Sequence, residues 1–154
     1  MNHSSITIES ILAPGLTLTG FPGTSKKKVI EHISQTIARE HPKLDADHVF
    51  ESLIAREKLG STGVGQGIAI PHARLNNCSH VIGSLVRLKE TIDFDAIDGK
   101  PVDLLFVLVV PKEATSEHLE LLSQIAEKFN NSKLCDALRQ AENDENLYNL
   151  MFDS

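Results

Sequence analysis

Leu104-Leu105-Phe106-Val107-Leu108-Val109-Val110 is an unbroken apolar run, and Pro111 ends it. A short continuous run of this composition is typical of a strand that is buried on both faces, because it has no polar side to turn towards water. Such strands lie inside sheets that other elements cover from above and below. The run therefore predicts a central strand between helical layers.

The central strand is predicted to form a β-hairpin with the residues that precede it. Residues 81–88 are rich in β-forming types, and residues 92–97 alternate apolar side chains with Asp93 and Asp95. Asp98-Gly99, a strong hairpin turn signal, separates these residues from the central run. A hairpin supplies antiparallel pairing, so we expect a mixed sheet.

Apolar residues at helical spacing predict helices on both sides of the central strand in the sequence. A short strand at 16–23 comes first, a helix then runs from a cap at Thr24 or Ser25 to His41-Pro42, and others cover about 45–59, 116–129, 132–138 and 143–152. Lys26 to Lys28 are expected to form a solvated face, and Gly60 is expected to end the second helix in the left-handed conformation. The predicted fold is a single α/β domain over residues 1–154, with a mixed β-sheet flanked by helices on both sides.

Length and composition exclude several classes of protein. The 154 residues, 41% hydrophobic and 23% charged, suit one globular domain of ~150 residues. A net charge of −6 argues against non-specific binding to nucleic acid. Cys78 and Cys135 match no metal or redox motif. The sequence shows neither a signal peptide nor an apolar run long enough to span a membrane, so we expect a cytoplasmic protein without membrane insertion.

The segment Gly60 to Gly67, GSTGVGQG, holds four of the nine glycines. Glycines let backbone N–H groups approach an anion closely. A nucleotide P-loop is excluded because Gln66 and Gly67 stand where it needs Lys and Ser or Thr, and a dinucleotide loop would follow a strand rather than a helix. A phosphoryl-binding loop and a plain flexible connector both remain open.

His72 is the candidate nucleophile. Pro71 fixes its own backbone and favours an extended Ile70, so the imidazole sits on a stiff corner. A neutral imidazole nitrogen is nucleophilic near pH 7 and can form covalent intermediates. Taken alone, a histidine after proline is more often a solvated loop residue, so other anion-binding groups must converge on it.

Two further residues are candidates for such groups. Arg56, near the end of the second helix, carries a guanidinium suited to phosphate oxygens, although a solvated cation at a helix end is the simpler interpretation. His118 shares a helical stripe with Leu122, Ile125 and Phe129, and is equally consistent with a histidine satisfied in the core. The other histidines lack metal-ligand spacing, so no metal and no cofactor are expected.

Residues 56–73, REKLGSTGVGQGIAIPHA, resemble the signature of the type 2 IIA domains of the bacterial phosphoenolpyruvate-dependent phosphotransferase system, the fructose and mannitol class. Phe94 to Asp98, Pro101 to Phe106 and Ser116 to Leu119 are similar to the nitrogen regulatory branch of that family. The resemblance covers nearly the whole chain. Ala73 stands where many members have Gly.

The resemblance implies a function and a set of site residues. His72 would accept a phosphoryl group on Nε2 from the phosphohistidine of a small HPr-like (NPr) carrier, with Arg56 and His118 beside it. Ser61, Thr62, Gly63, Gly65 and Gly67 would form the phosphoryl-binding loop, and Pro71 would position the nucleophile. We further expect an apolar surface around His72 on which the carrier docks.

Three functions follow from these expectations. The first is a phosphotransferase component with a mainly regulatory role, whose phosphorylation state selects partners in nitrogen metabolism, such as potassium-transport or sensor-kinase components. A chain of 154 residues leaves no room for attached transport domains, which favours regulation. The second is a sugar-specific IIA component that passes phosphate to a IIB protein. The third is a non-catalytic interaction module.

Overall fold

The fold is described by a computed structural model, which covers residues 7–113 and 116–152, with side chains in the second segment from Glu120 onward. Six helices and six strands are present in these residues. In chain order they are α1 Ile8–Ile11, β1 Leu12–Phe21, α2 Lys26–Glu40, α3 Ala46–Leu59, β2 Gly63–Gly65, β3 Ile68–Ala69, β4 His72–Leu75, β5 Ile82–Ile92, β6 Val102–Pro111, α4 Ser116–Phe129, α5 Ser132–Arg139 and α6 Asp144–Leu150.

The helices begin where polar residues can cap them. The side chain of Ser25 accepts a hydrogen bond from the N–H of Lys28 at the start of α2, and Asp45 caps α3 in the same manner. Asn131 and Asn143 cap α5 and α6. These caps satisfy N–H groups that the first helical turn leaves without partners. None of the helices in residues 7–113 and 116–152 is long and apolar enough to cross a membrane.

The sheet is mixed, as the sequence predicts. Its strand order is β1-β5-β6-β3-β2, and β4 also pairs with β6. β5 and β6 are antiparallel, whereas β1 runs parallel to β5, and both β3 and β4 run parallel to β6. β5 occupies one edge of β6, so β3 and β4 follow one another along its other edge. The short connection between β3 and β4, Ile70-Pro71, therefore lies against the central strand.

β6 is buried on both faces, which confirms the prediction from its apolar run. Leu105, Val107 and Val109 pack in a core shared with α2 and α3. The alternate residues Leu104, Phe106 and Leu108 pack in a second core, shared with α1, α4, α5 and α6. The α/β class with helices on both sides of the sheet is confirmed.

Two local predictions were wrong. Gly60 ends α3, but its φ of 157° and ψ of 143° are far from the left-handed helical conformation. Residues 93–97 of the alternating run form no strand, and β5 ends at Ile92. Phe94 and Ala96 are nevertheless buried, and the Phe94 carbonyl accepts a hydrogen bond from the Ser61 hydroxyl at 2.6 Å in place of a strand partner.

Candidate functional site

His72 is the first residue of β4 and follows a rigid connection. Pro71 is buried, and its carbonyl accepts a hydrogen bond of 2.9 Å from the N–H of Leu108 on the central strand. Because Pro71 also fixes its own φ, the backbone immediately before His72 is held against β6. The imidazole is half-buried at this edge.

The contacts of the His72 ring define its tautomer. Nδ1 lies 2.9 Å from the carbonyl oxygen of Ile70, and a carbonyl can only accept a hydrogen bond. Nδ1 therefore carries the hydrogen, and Nε2 holds the lone pair. Burial lowers the pKa of His72 below its usual value and outweighs the opposing effect of the bond to Ile70. The ring is thus neutral near pH 7, with Nε2 as its nucleophilic atom.

Arg56 lies beside this nitrogen. Its Nε is 3.3 Å from His72 Nε2, and its Nη1 donates to the Gly60 carbonyl at 2.8 Å. No carboxylate in the described side chains forms an ion pair with Arg56. The guanidinium charge also lowers the pKa of His72. The structure therefore brings together two of the residues that the sequence predicts for the site.

A cavity of about 510 Å³ opens next to His72 and Arg56. The other residues that line it are mostly apolar: Ser52, Ala55, Leu59, Ala73, Arg74, Leu108, Val110 and Leu122. Leu59, at the end of α3, is 85% exposed. The apolar surface expected around His72 is present.

The Gly-rich segment forms a hairpin instead of an open loop. β2 and β3 pair antiparallel across a turn at Gln66-Gly67, and both turn residues have positive φ, 62° and 79°. The Gly67 carbonyl accepts hydrogen bonds from the N–H groups of Asp103 and Leu104, which fix the turn against the start of β6. Arg139 on α5 donates to the Gln66 carbonyl at 2.7 Å.

The two hydroxyls of this segment make hydrogen bonds within the fold. Ser61 Oγ donates to the Phe94 carbonyl and accepts from the N–H of Gly63, while Thr62 Oγ1 donates to the carboxylate of Glu57. None of the described residues that line the cavity beside His72 comes from 61–67. Binding of phosphate by Ser61, Thr62, Gly63, Gly65 and Gly67 stays a prediction of the sequence.

A buried ion pair supports the end of α3, and sequence reasoning missed it. Lys26 Nζ lies 2.8 Å from Glu57 Oε1, and the side chain of Lys26 is only 19% exposed, so the solvated face predicted for it was wrong. The sequence contains one signal that Glu57 is buried. Glu57 continues the buried stripe of Val49 and Leu53 at intervals of four residues, and a carboxylate in such a position requires a partner.

Comparison with known proteins identifies the family. The family model described as phosphoenolpyruvate-dependent sugar phosphotransferase system, EIIA 2, matches residues 10–154. The chain belongs to this EIIA 2 family. The resemblance stated from residues 56–73 is thereby confirmed, and membership implies a phosphoryl-carrier component of the phosphotransferase system.

Several EIIA 2 relatives are nitrogen regulatory proteins. One from Pseudomonas aeruginosa is 54% identical over 148 residues, 96% of each chain. One from Escherichia coli strain K12 is 41% identical over 154 residues, 99% of this chain and 94% of the relative. The crystal structure of nitrogen regulatory protein IIA-Ntr from Neisseria meningitidis is 42% identical, with a TM-score of 0.86 and coverage of 94% of this chain and 98% of that one.

His118, the third predicted site residue of this EIIA 2 chain, lies in the first turn of α4, and its side chain is outside the described residues. One helical turn later, Leu122 lines the cavity beside His72. The helix that carries His118 therefore borders the cavity beside His72. The role of the His118 side chain stays a prediction.

Proposed function

We propose that this chain is a cytoplasmic nitrogen regulatory IIA protein, which accepts a phosphoryl group on His72 Nε2 from the phosphohistidine of an HPr-like (NPr) carrier. The observation that carries the proposal is the hydrogen bond from His72 Nδ1 to the Ile70 carbonyl at 2.9 Å. Because Nδ1 carries the ring hydrogen, Nε2 has an unprotonated lone pair. The bond also orients Nε2 towards Arg56 and the cavity.

The transfer needs no proton movement on these rings. The bond between phosphorus and the donor's histidine nitrogen breaks as the bond to His72 Nε2 forms, and the donor nitrogen keeps the electron pair. With N–H on the other nitrogen of each ring, the donor ring changes from cationic to neutral and the His72 ring, whose Nδ1–H is held by Ile70, changes from neutral to cationic. Catalysis then depends on placing the reactants in line and on balancing the charge of the three phosphoryl oxygens.

Arg56 is proposed to supply that charge balance. Its Nε–H donates to the Nε2 lone pair before transfer, so this bond must break when the lone pair attacks phosphorus. The guanidinium then lies next to the incoming oxygens, and its fork of N–H donors matches their geometry. His118 is proposed as a second hydrogen-bond donor to the phosphoryl group, as family resemblance implies.

Phosphorylation also suggests how regulation would work. A phosphoryl group adds roughly two negative charges at the mouth of a mostly apolar cavity. A partner that buries an apolar side chain there would be rejected after phosphorylation, because the charge would lose its water. The proposed outputs are therefore proteins that bind only one of the two forms, with potassium-transport and sensor-kinase components as candidates.

The direct test is labelling with phosphoenolpyruvate and the purified upstream carriers. Wild-type protein is expected to take one phosphoryl group, on the Nε2 position of a histidine, and His72→Ala is expected to take none. His80→Ala is the matched control, because His80 is exposed and does not line the cavity. Label that persists in His72→Ala would overturn the assignment.

The acceptor experiment separates regulation from sugar uptake. Labelled protein is mixed with a fructose- or mannitol-type IIB protein and the label is followed. Retention of the label, together with partners in a pull-down that differ between wild type and His72→Ala, supports the regulatory function. Rapid passage of the label to IIB would instead support a sugar-specific component, and unchanged partners would favour a non-catalytic module.

A further inference from the structure

The carboxylate of Glu57 is almost fully enclosed and is bound from three directions. Glu57 is 7% exposed. Its Oε1 accepts from the N–H of Thr62 at 3.2 Å and lies 2.8 Å from Lys26 Nζ, while its Oε2 accepts from the Thr62 hydroxyl. These contacts join the end of α3 to the start of α2 and to the chain that leaves Gly60.

Lys26 is itself held in place. Its ammonium group lies 3.4 Å from the Phe94 carbonyl and 4.7 Å from the centre of the Phe94 ring. An ion pair so enclosed adds little net stability over apolar residues of similar volume, because both ions lose their water. Its geometry, in contrast, is strictly defined, since each polar atom is bound to a fixed partner.

Two short paths lead from this carboxylate to the two groups at the site. Along the chain, Arg56 directly precedes Glu57 and shares the last turn of α3. Through hydrogen bonds, the Thr62 carbonyl accepts from the N–H of Ile70 at 3.0 Å, and the Ile70 carbonyl accepts from His72 Nδ1 at 2.9 Å. Glu57 is thus connected to both partners of the contact between Arg56 and His72.

We propose that Glu57 is a positioning residue for phosphoryl transfer, whose Lys26-paired carboxylate holds the end of α3 on Thr62 and so sets the 3.3 Å separation of Arg56 Nε and His72 Nε2. The proposal rests on the proposed function, because it assigns Glu57 a role in that transfer. It extends the site beyond the residues that touch the phosphoryl group.

The test compares Glu57→Gln with Glu51→Gln, an exposed glutamate on the same helix. Glutamine keeps the size of the side chain, but its NH₂ group cannot accept from the Thr62 hydroxyl. For Glu57→Gln we expect a maximal labelling rate roughly 10- to 100-fold lower, with the KM for the carrier unchanged, because transfer is sensitive to displacements of about 1 Å. The ¹⁵N shifts of the unphosphorylated His72 ring, which report its tautomer and hydrogen bonds, should change as well. Glu51→Gln should match wild type in both.

A double variant separates positioning from stability. Lys26→Met combined with Glu57→Gln removes the ammonium, which in the single variant keeps only the exposed carboxylate of Asp95, 3.8 Å away, as an ionic partner. The thermal midpoint should therefore recover while the labelling rate stays low. Recovery of the rate together with the midpoint would overturn the proposal, as would wild-type ring shifts in Glu57→Gln. If wild-type protein took no label, the proposed function itself would fail, and this outcome is distinct because the ring shifts are measured without the carrier.

Discussion

The Nε of Arg56 lies 3.3 Å from the Nε2 of His72, which is the nitrogen of that ring that carries no hydrogen. The two side chains come from different elements, the last turn of α3 and the first residue of β4. Arg56 is anchored by the Gly60 carbonyl, and the imidazole is anchored by the Ile70 carbonyl. A cation and a neutral nucleophile are therefore presented together at the cavity before any partner arrives, which limits the reorganisation that transfer requires.

Replacing Arg56 with alanine should slow phosphorylation far more than it weakens the fold. Loss of one preorganised donor to a developing charge typically costs about 10²- to 10³-fold in rate. A helix-end cation contributes only about 0.3–1 kcal/mol to stability. Initial labelling rates and urea unfolding of Arg56→Ala measure the two effects. Lys58→Ala, in the same turn and exposed, serves as the control and should change neither. Comparable losses of rate in both variants would contradict a specific role for Arg56.

The labelling rate should depend on pH through His72. Its pKa is lowered, mainly by burial, so the nucleophilic neutral ring predominates at pH 7 and above. As the pH falls through a midpoint below the usual value of about 6.5, the ring gains a proton on Nε2 and the initial rate should fall. Arg56→Ala should raise this midpoint, because the arginine charge opposes protonation. A His72 titration followed by NMR checks both statements, and a midpoint above 6.5 in wild type would contradict them.

The central strand could be predicted because its signal is local. Seven consecutive apolar residues, 104–110, allow hardly any other environment than one covered on both faces, and the structure places alternate residues in two cores. The strand predicted at 92–97 had an equally regular pattern. It failed because the Phe94 carbonyl bonds to Ser61 and Lys26, and both of these residues are distant in sequence.

The site was predictable to the extent that it resembles a family. His72 and Arg56 were identified from residues 56–73, and the structure places them in contact. The shape of the Gly-rich segment was not predictable, because glycines with positive φ serve a tight hairpin turn as well as an anion-binding loop. The pairing of Lys26 with Glu57 joins two helices, so the spacing that marks Glu57 as buried could not identify Lys26 as its partner.

Gly67→Ala should destabilise the protein by more than strain alone. A left-handed φ costs an alanine about 1–2 kcal/mol. A Cβ at Gly67 would also lie 2.6 Å from Arg139 Nη2 and would displace this group from its hydrogen bonds to the Gln66 carbonyl and Asp103. Gly99→Ala is the matched comparison, because its φ of 72° is similar and nothing lies within 4 Å of its Cβ. Urea unfolding should show a larger loss for Gly67→Ala. The labelling rate of folded Gly67→Ala should be unchanged, since the turn does not line the cavity. A lower rate would support the phosphoryl-binding role that the sequence assigns to this segment.

Leu59 should contribute to carrier binding without contributing to the fold. It is 85% exposed at the edge of the cavity beside His72, whereas Ile97 is 88% exposed and does not line that cavity. Burying a leucine side chain at an interface is worth about 1.5 kcal/mol or more, so Leu59→Ser should raise the KM for the carrier roughly tenfold. Its maximal labelling rate should stay constant, because a leucine side chain has no polar atom with which to bind the phosphoryl group. Both Leu59→Ser and Ile97→Ser should leave the free energy of unfolding within about 0.5 kcal/mol of wild type. Equal KM values for the two variants would show that the carrier docks elsewhere, since an exposed apolar residue raises affinity only where a partner covers it.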